Sequence, residues 1–238
     1  MSKRAVILAG GKGTRLRPYT VVLPKPLMPL GDYPILEIII RQLANCGFDH
    51  ITLTVNHQAE IIKAFFGDGK KWNIKIDYSL ENQPLSTMGP LKLIPDLPEN
   101  FLVLNGDVLT DLNFDWFYNF HVSNRNIFTI SAFDRVEISE YGVLDQDTDN
   151  FLTGFREKPR NYYTVSMGVY MVNREALQYI PENIAYGFDQ LMLHFIDKKR
   201  KVLIHKHDGY WLDIGRPDDY MQAIDEFEKN RDKFLSVR

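Results

Sequence analysis

The sequence predicts an α/β protein with a mostly parallel, mixed sheet, and three observations support this prediction. Strand-like apolar runs alternate with helix-like segments through the first half of the 238 residues. The first apolar run ends at Gly10 and Gly11, which is typical of a buried strand that opens into a glycine loop. The middle of the chain holds several strand-like segments with few helices between them, which indicates an antiparallel or mixed extension beside the main sheet.

Strands and helices are predicted to alternate through the first half. Short apolar or alternating runs predict strands at residues 4–9, 51–55, 74–78 and 101–105. Apolar residues at helical spacing predict helices at 35–46 and 59–66, each followed by a glycine. Strands interleaved with helices in this way form right-handed βαβ units, so we expect a mostly parallel sheet.

The second half contains the mixed extension and two helical patterns. Strands are predicted at residues 127–133, 142–145, 151–155 and 165–172. Helices are predicted at 188–198 and at 217–234, where Pro217 suits a first helical position. Because no repeat, low-complexity tract or linker interrupts these patterns, we expect a single domain over residues 1–238, with residues 217–238 as a C-terminal helix.

The composition excludes several classes of function. The chain has 28 basic and 31 acidic residues, a net charge of −3, whereas non-specific binding to nucleic acid or to a membrane surface needs a basic excess. Cys46 is the only cysteine, which excludes an intrachain disulfide and a cysteine-cluster metal site. The N-terminal apolar run is too short for a secretory signal, and no stretch approaches the roughly 18 apolar residues of a membrane span. We therefore expect a cytoplasmic protein.

The segment LAGGKGTRLRP, residues 8–18, is the most informative motif. Glycines after a first strand let the backbone approach a phosphate or a base, and backbone N–H groups can line that concavity. The segment is not a Walker loop, because Thr14 and Arg15 follow Gly13 where that loop has lysine. It is not the dinucleotide fingerprint either, because Leu16 stands where the third glycine belongs. Arg15 then either contacts phosphate oxygens or is an ordinary surface arginine.

The next segment, LPKPLMPL at residues 23–30, places a lysine between two prolines. Pro24 and Pro26 restrict the backbone on both sides of Lys25, which reduces the freedom of the chain that presents the ammonium group. A stiff loop with a surface lysine is the simpler alternative. The position so soon after the glycine loop favours a phosphate contact.

These two segments resemble the signature of the nucleotidyltransferases that make nucleotide-sugars from a sugar 1-phosphate and a nucleoside triphosphate. The matching residues are Gly10, Gly11, Gly13, Thr14, Arg15 and Leu16, followed by Pro24, Lys25 and Pro26. The resemblance continues to about Tyr220. It implies a Rossmann-like three-layer α/β/α nucleotidyltransferase fold with a mixed central sheet and a small sugar-binding β extension. It also implies that Arg15 binds the departing pyrophosphate and that Lys25 neutralises charge at the reacting phosphates.

Two aspartates are the candidate magnesium ligands. Asp107 follows the predicted strand at 101–105, at the edge where open α/β sheets place ligand groups. An unpaired carboxylate there is costly, and Mg²⁺ would satisfy it; a turn or a helix cap is the alternative, although Asp111 or Asp115 suits a cap better. The segment YWLDIGRPDDY, residues 210–220, resembles the family's second acidic motif, which implies that Asp213 is the other ligand.

The resemblance also implies the residues that bind each substrate. The nucleotide-binding residues are expected in the glycine loop and in one later loop: Leu8, Ala9, Gly10, Gly11, Gly13, Thr14, Glu81, Leu85, Ser86 and Thr87. In FREKP, residues 155–159, Glu157 is expected to hold sugar hydroxyls and Lys158 the sugar phosphate, with Gly142 and Ser166 close to the sugar. Several positions depart from the family pattern, namely Ser86, Met88, Pro90 and Ser166, so the nucleobase and the sugar stay open.

The sequence thus predicts a cytoplasmic Mg²⁺-dependent enzyme that joins a nucleoside triphosphate and a sugar 1-phosphate, either alone or as a homo-oligomer. Residues 1–125 are expected to bind the nucleotide and residues 126–220 the sugar phosphate. The spacing from Glu81 to Leu85 resembles the guanylyl and mannose branch of the family more than the thymidylyl branch, and this resemblance favours GTP with a mannose- or heptose-type sugar. The alternatives are uridylyl, thymidylyl or cytidylyl transfer to another sugar or alcohol phosphate, and a non-catalytic nucleotide-sugar-binding regulatory subunit.

Two histidines near the C-terminus form a different pattern. His205 and His207 lie two residues apart on a predicted strand and so share a face, which is also the spacing of some metal ligand pairs. No third ligand accompanies them in the sequence, which favours a polar edge of the sheet.

Overall fold

Strands and helices alternate along the first half of the computed structural model, which describes residues 2–56 and 58–235. The strands are β1 (Arg4–Leu8), β2 (Pro29–Leu30), β3 (Tyr33–Pro34), β4 (His50–Val55), β5 (Lys75–Leu80), β6 (Asn100–Asn105), β7 (Val108–Thr110), β8 (Phe128–Ile138), β9 (Val143–Gln146), β10 (Leu152–Arg156), β11 (Arg160–Asn173), β12 (Leu203–Lys206) and β13 (Trp211–Asp213). The α-helices are α1 (Ile35–Asn45), α2 (Ala59–Phe66), α3 (Phe114–Asn124), α4 (Phe188–Asp197), α5 (Pro217–Lys229) and α6 (Arg231–Leu235).

A seven-stranded mixed sheet lies at the centre, in the order β12–β8–β11–β6–β1–β4–β5. Strands β6, β1, β4 and β5 are parallel neighbours, whereas β11 is antiparallel to both β6 and β8. The carboxyl ends of β1, β4 and β6 therefore meet at one edge, which is where ligand sites of open α/β sheets form. Three short pairs lie outside this sheet: β2–β3, β7–β13 and the hairpin β9–β10.

Helices cover both faces of the sheet. Successive residues of β1 point in opposite directions, so Ile7 packs into a core with α1, α2, α3 and α5, while Val6 packs into a second core with α4. The parallel strands are accordingly apolar on both sides. This three-layer arrangement confirms the predicted α/β fold with a mixed central sheet.

Glycines end the first two helices as the sequence predicted. Gly47 and Gly67 follow α1 and α2 with φ of 77° and 56°, a left-handed conformation that glycine adopts without a steric penalty. The chain leaves each helix at these points and returns to the sheet in β4 and β5.

The structure differs from the predicted elements in several places, and the short strands β2, β3, β7 and β13 were not predicted. The strands predicted at 127–133 and 165–172 are longer and belong to the main sheet as β8 and β11, so only the β9–β10 hairpin is a separate extension. The helix predicted at 217–234 is divided into α5 and α6 at Asn230, and residues 236–238 lie outside the described residues. Helix α3 was not predicted; its N-cap is Asn113, whose side chain accepts a hydrogen bond from the N–H of Trp116, and not Asp111.

Across residues 2–56 and 58–235, every helix falls short of the length and apolar content that a membrane crossing requires.

Candidate active site

Two adjoining cavities open at the carboxyl edge of the sheet. The smaller, of about 410 Å³, is lined by the glycine loop after β1 and by residues that follow β4 and β5. The larger, of about 650 Å³, lies between the paired ends of β8 and β11 that extend past β6 and the segment around β13. Asn105, at the end of β6, lines both cavities, so they form one cleft with two compartments.

Close approach explains two glycines of the loop. A Cβ atom on Gly10 would lie 2.8 Å from Oε1 of Glu81, so any larger residue would displace that carboxylate. Gly13 has φ of 60°, and a Cβ atom there would lie 3.2 Å from Cβ of Lys25. The loop therefore packs directly against Glu81 and Lys25, two residues that the sequence analysis assigned to the site.

The residues 81–87 form the opposite wall of the smaller cavity. Glu81 is buried and its Oε2 accepts a hydrogen bond from the N–H of Leu85, while burial raises the pKa of its carboxyl group. Ser86 has φ of 65°, the left-handed conformation that a glycine would adopt easily. The hydroxyl of Thr87 accepts a hydrogen bond from the N–H of Phe188, so it fixes the wall to the first turn of α4.

The remaining predicted nucleotide residues lie around the same loop. Leu8, Gly10, Gly11, Glu81, Ser86 and Thr87 line the smaller cavity, whereas Ala9, Leu85 and Thr14 support it from behind or from the following turn.

Lys25 and Asp107 form an ion pair at the boundary between the compartments. The ammonium Nζ of Lys25 contacts Oδ2 of Asp107, and both side chains are largely buried. The other oxygen of this carboxylate, Oδ1, is buried without a hydrogen-bond partner among the described residues. A buried, unsatisfied carboxylate oxygen is costly, so this oxygen is available to a ligand.

Backbone pairing brings Asp213 beside Asp107. Strand β13 is antiparallel to β7, with Asp213 opposite Val108, and the N–H of Ile214 donates to the carbonyl oxygen of Asp107 over 3.0 Å. Burial and the neighbouring negative charge of Asp107 raise the pKa of Asp213, although Lys25 and Arg15 oppose this shift. Two carboxylates this close together repel each other, and a cation between or beside them offsets the repulsion.

Arg15 reaches the same place from the glycine loop. A Cβ atom on Gly215 would lie 3.6 Å from both terminal nitrogens of Arg15 and 3.2 Å from Oδ2 of Asp213. The structure thus brings together Arg15, Lys25, Asp107 and Asp213, which are separated by up to 198 positions in the sequence.

The pair of carboxylates fits a magnesium ion. No group of three or more His, Cys, Asp or Glu side chains with metal-binding geometry occurs in the part of the chain that the structure describes. Mg²⁺ does not need such a cage, since it binds through one or two carboxylates and completes its coordination with water and substrate phosphates. The free Oδ1 of Asp107 and the close Asp213 match this requirement.

Polar and aromatic residues line the larger compartment. Ser166 lines it, and its hydroxyl contacts the hydroxyl of Tyr170 at 3.1 Å. Gly168 has φ of 71° and lies so close to Asn105 that a Cβ atom would be 2.5 Å from Nδ2 of that side chain. The rings of Phe133 and Trp211 pack with centroids 5.7 Å apart on the far side.

The β9–β10 hairpin holds the other predicted sugar residues. Gly142 lies against Glu157, since a Cβ atom on it would be 3.1 Å from Oε2. Lys158 is exposed, with φ of 44°, in the turn between β10 and β11. Neither Glu157, Lys158 nor Gly142 lines the larger compartment, so the described contacts do not bring this group to Asp213.

Sequence reasoning missed several residues of the cleft. Asn105, Lys12 and Asn56 line the smaller compartment, and Asn105, Arg135, Glu137 and Arg216 line the larger one. Lys12 and Arg216 belong to quoted segments and Asn105 ends the predicted strand at 101–105, so their positions could have identified them. Arg135 and Glu137 belong to no motif. They reach the cleft because β8 and β11 continue as a pair past β6.

His205 and His207 lie at the edge strand β12 and just after it, as predicted. The ring of His205 packs among Trp116, Phe117 and Phe120 of α3, while His207 contacts Asp111.

Comparisons with known proteins show what this chain is similar to. A model of the family described as nucleotidyl transferase matches residues 4–230. The chain is 34% identical over 229 residues to a mannose-1-phosphate guanyltransferase of Saccharomyces cerevisiae, covering 92% of this chain and 63% of that protein. It is also 34% identical over 241 residues to a UTP–glucose-1-phosphate uridylyltransferase of a Synechocystis species, covering 93% and 62%. The chain therefore spans slightly less than two thirds of the length of these curated relatives.

A solved structure matches over nearly its whole length. The crystal structure of HddC from Yersinia pseudotuberculosis complexed with GMP-PN has a TM-score of 0.70 and 27% sequence identity, covering 94% of this chain and 99% of that one.

Proposed function

The chain belongs to the nucleotidyl transferase family, and we propose that it transfers a nucleotidyl group from a nucleoside triphosphate to a sugar 1-phosphate, releasing pyrophosphate. The observation that supports this most directly is the meeting of Arg15, Lys25, Asp107 and Asp213 where the two compartments join. The two substrates are both anionic and repel each other. A cleft with cations and a carboxylate pair at its centre is suited to overcome that repulsion.

The smaller compartment is the proposed nucleotide site. The backbone of its glycine loop can approach phosphates. Both apolar and polar residues line this compartment, which suits a base and a ribose. Arg15 and Lys25 would contact the triphosphate, with the guanidinium fork matching phosphate oxygens. This assignment makes residues 1–125 the nucleotide-binding half of a single domain.

The larger compartment is the proposed sugar-phosphate site, and residues 126–220 are its half of the domain. Ser166 would contact the sugar from the floor, and Arg135 and Arg216 add guanidinium groups to the wall. Glu157, Lys158 and Gly142 on the β9–β10 hairpin would join the sugar only if the hairpin moves over the compartment. We propose that this closure accompanies substrate binding.

The proposed chemistry is a direct in-line displacement. An oxygen of the sugar phosphate attacks the α-phosphorus, the bond from that phosphorus to the bridging oxygen breaks, and pyrophosphate leaves. When bound by Asp107 and Asp213, Mg²⁺ would supply neutralisation of the phosphate charge. Lys25 stabilises charge at the reacting phosphates, Arg15 holds the leaving group, and Lys158 holds the nucleophile. No general base is required, because the attacking phosphate is already deprotonated at neutral pH.

GTP with a mannose- or heptose-type sugar is the favoured substrate pair. The guanyltransferase name of one relative and the guanine nucleotide analogue in the matched HddC structure support this choice. A relative named as a uridylyltransferase has the same identity of 34%, so UTP with glucose 1-phosphate is the second candidate. We also place the reaction in the cytoplasm, in keeping with the buried, free thiol of Cys46.

A substrate panel tests the proposal. Pyrophosphate release is measured with GTP, UTP, dTTP, CTP and ATP against several sugar 1-phosphates and phosphorylated alcohols, with and without Mg²⁺. We expect turnover that requires Mg²⁺ and both substrates. Tight binding of a nucleotide-sugar with no turnover of any pair would instead indicate a non-catalytic regulatory subunit.

Variants of the central residues test the assigned roles. We expect Arg15→Ala and Asp107→Ala each to raise the barrier by at least about 2 kcal/mol, or about 30-fold in rate. Arg17→Ala, two residues further along the same exposed segment, is the matched control and keeps normal turnover. Near-normal turnover of either central variant would contradict its role.

A further inference from the structure

The short strands β7 and β13 form a two-stranded ribbon with different chemistry at its two ends. At one end, Asp107 precedes β7 and Asp213 ends β13, and the N–H of Ile214 donates to the carbonyl oxygen of Asp107. At the other end, Asp111 follows β7 and Tyr210 precedes β13. A two-stranded ribbon of three residues each has little stability of its own, so something must hold it.

Core packing of Val108 and Leu109 and the hydrogen bond from Gln42 to the carbonyl oxygen of Thr110 contribute to holding the ribbon. At the end away from Asp213, a further contribution comes from a cluster that we call the Asp111 clamp, made of Asp111, His207, the N–H of Tyr210 and Lys233. Oδ1 of Asp111 lies 2.7 Å from Nε2 of His207 and 2.7 Å from the backbone nitrogen of Tyr210, and Oδ2 lies 2.7 Å from Nζ of Lys233. Asp111 and His207 are about nine-tenths buried as side chains. Three donors, two from residues 207–210 and one from α6, therefore converge on one carboxylate.

The charge state of Asp111 agrees with this role. Burial alone would raise the pKa of Asp111, but the hydrogen bonds from His207, Lys233 and Tyr210 outweigh it and hold the pKa well below its usual range. Three donors on one carboxylate that is ionised near neutral pH fix the position of each donor.

Packing around the clamp leaves no room for adjustment. Gly209 lies between Asp111 and His207, and a Cβ atom on it would overlap Oδ1 of Asp111 and lie 2.6 Å from Nε2 of His207. Lys233 lies on the short helix α6. On the same helix, the ring of Phe234 packs edge-on against Tyr210, with centroids 5.5 Å apart. The clamp therefore joins the C-terminal helix to the strand that ends at Asp213.

We propose that Asp111 is a positioning residue for the metal carboxylates: the Asp111 clamp sets the register of the β7–β13 ribbon and so holds Asp213 beside Asp107. This inference rests on the proposed metal role of Asp107 and Asp213. Since a residue that orients ligands from outside the coordination sphere changes metal affinity by about 10- to 100-fold, the effect is measurable.

The test compares four single variants of the full chain. Asp111→Asn removes the anion, Lys233→Met removes one donor from a half-exposed side chain, and Gly209→Ala inserts a methyl group into the clamp. Arg231→Met is the matched control, because Arg231 lies on the same helix but pairs with Asp32 on the surface.

Two measurements separate positioning from mere stability. Mn²⁺ alone, titrated as a probe by electron paramagnetic resonance, reports the affinity of the carboxylate pair, and hydrogen exchange at the N–H of Ile214 reports the integrity of the ribbon. We expect Asp111→Asn to weaken Mn²⁺ binding about tenfold and to speed that exchange. Lys233→Met and Gly209→Ala change both in the same direction, and Arg231→Met changes neither. In turnover assays the half-saturating Mg²⁺ concentration rises while kcat at saturating Mg²⁺ stays within about twofold of the unmodified chain.

Unchanged Mn²⁺ affinity and Ile214 exchange in a folded clamp variant, with only a lower Tm, would overturn the proposal. If Asp111→Asn does not fold, Lys233→Met decides the question. If the unmodified chain binds no Mn²⁺, the proposed metal role fails, and normal Ile214 exchange in Lys233→Met would then overturn the clamp as well.

Discussion

Lys25 balances the charge at the centre of the cleft. Its ammonium group is buried against Asp107, and Asp213 lies next to that pair with a raised pKa. The two prolines beside Lys25 place it in a short turn, Lys25–Leu27, that packs below the glycine loop. Without this cation the two carboxylates would face each other in a poorly solvated place.

We therefore expect Lys25→Met to lower kcat/KM by at least about 100-fold, the scale of losing one donor that stabilises the transition state. Steady-state pyrophosphate release measures this loss. Lys63→Met, which removes a surface pair with Glu60, is the control and keeps kcat/KM within about twofold. Activity of Lys25→Met close to that of the unmodified chain would remove Lys25 from the account.

We expect Glu81 to contribute to the choice of base, because of where its two carboxylate oxygens lie. One carboxylate oxygen is held by the N–H of Leu85, and the other lies beside Gly10 at the wall of the smaller compartment. Guanine presents two adjacent donors, N1–H and N2–H₂, that complement a carboxylate.

We expect Glu81→Gln to lower the ratio of kcat/KM for GTP to that for UTP by about tenfold, since one bidentate contact is worth about 1–3 kcal/mol of discrimination. The neighbouring Gln83, which is exposed and donates to the carbonyl oxygen of Asn183, serves as control through Gln83→Ala. An unaltered ratio in Glu81→Gln would show that other groups select the base.

At the scale of elements, the sequence predicted best where periodicity was clear. Helix α2 has the predicted bounds, residues 59–66, because its apolar residues keep one face and Gly67 ends it. Helix α3 was missed because Trp116 and Val122 occupy exposed positions while His121 lies on the buried face, so polar and apolar residues do not separate cleanly by face. The parts of β8 and β11 that extend past β6 were missed because their side chains are exposed, so the sequence shows no alternation of buried and exposed residues there.

Gly168 shows how one residue shapes an element. It lies at the irregularity in the pairing of β11 with β8, between Ser166 and Tyr170, with positive φ and no space for a Cβ atom beside Asn105. The bulge in β11 lies beside Ser166, which lines the cleft next to Asn105 of β6.

Gly168→Ala is expected to lower the free energy of unfolding by more than Gly47→Ala, which has positive φ but open space around it. The left-handed conformation costs each variant about 1 kcal/mol, and the contact with Asn105 adds about 1–3 kcal/mol at Gly168 alone. Urea denaturation of both variants measures the difference. Equal losses would mean that Asn105 moves aside without cost.

At the scale of the whole molecule, His121 links the layers. Its ring is fully buried between α3 and the sheet, 2.7 Å from the hydroxyl of Thr129 and 3.1 Å from Oδ1 of Asn100. Burial lowers its pKa to about 4. The imidazole is therefore neutral in the folded chain at any pH where the enzyme would work.

This shift makes stability depend on pH with a defined sign. Between pH 6.5 and about 4 the unfolded chain binds a proton at His121 that the folded chain does not, so the free energy of unfolding falls as pH falls through this window. The contribution is complete above pH 6.5, is lost below about 4, and amounts to about 3 kcal/mol.

We expect His121→Gln to flatten this dependence, measured by urea denaturation at pH 7 and pH 4.5. The variant keeps a polar group for Thr129 and Asn100 but cannot titrate. A slope identical to that of the unmodified chain would assign the acid sensitivity to other groups.

Only part of the candidate site could be predicted from the sequence. Motifs identified Arg15, Lys25, Asp107 and Asp213. Their meeting depends on the pairing of β7 with β13, and strands of three residues leave no recognisable pattern in a sequence. The same limit applies to Arg135, which enters the cleft only because β8 continues beyond the sheet.

The most direct test of the account is ³¹P nuclear magnetic resonance of a single reaction containing Mg²⁺, GTP and mannose 1-phosphate. The account predicts that a nucleotide-diphosphate sugar and pyrophosphate appear in equal amounts, only when both substrates are present, and that the signals stay absent in Asp213→Asn. Release of phosphate or pyrophosphate without the sugar phosphate, or equal product from Asp213→Asn, would contradict it.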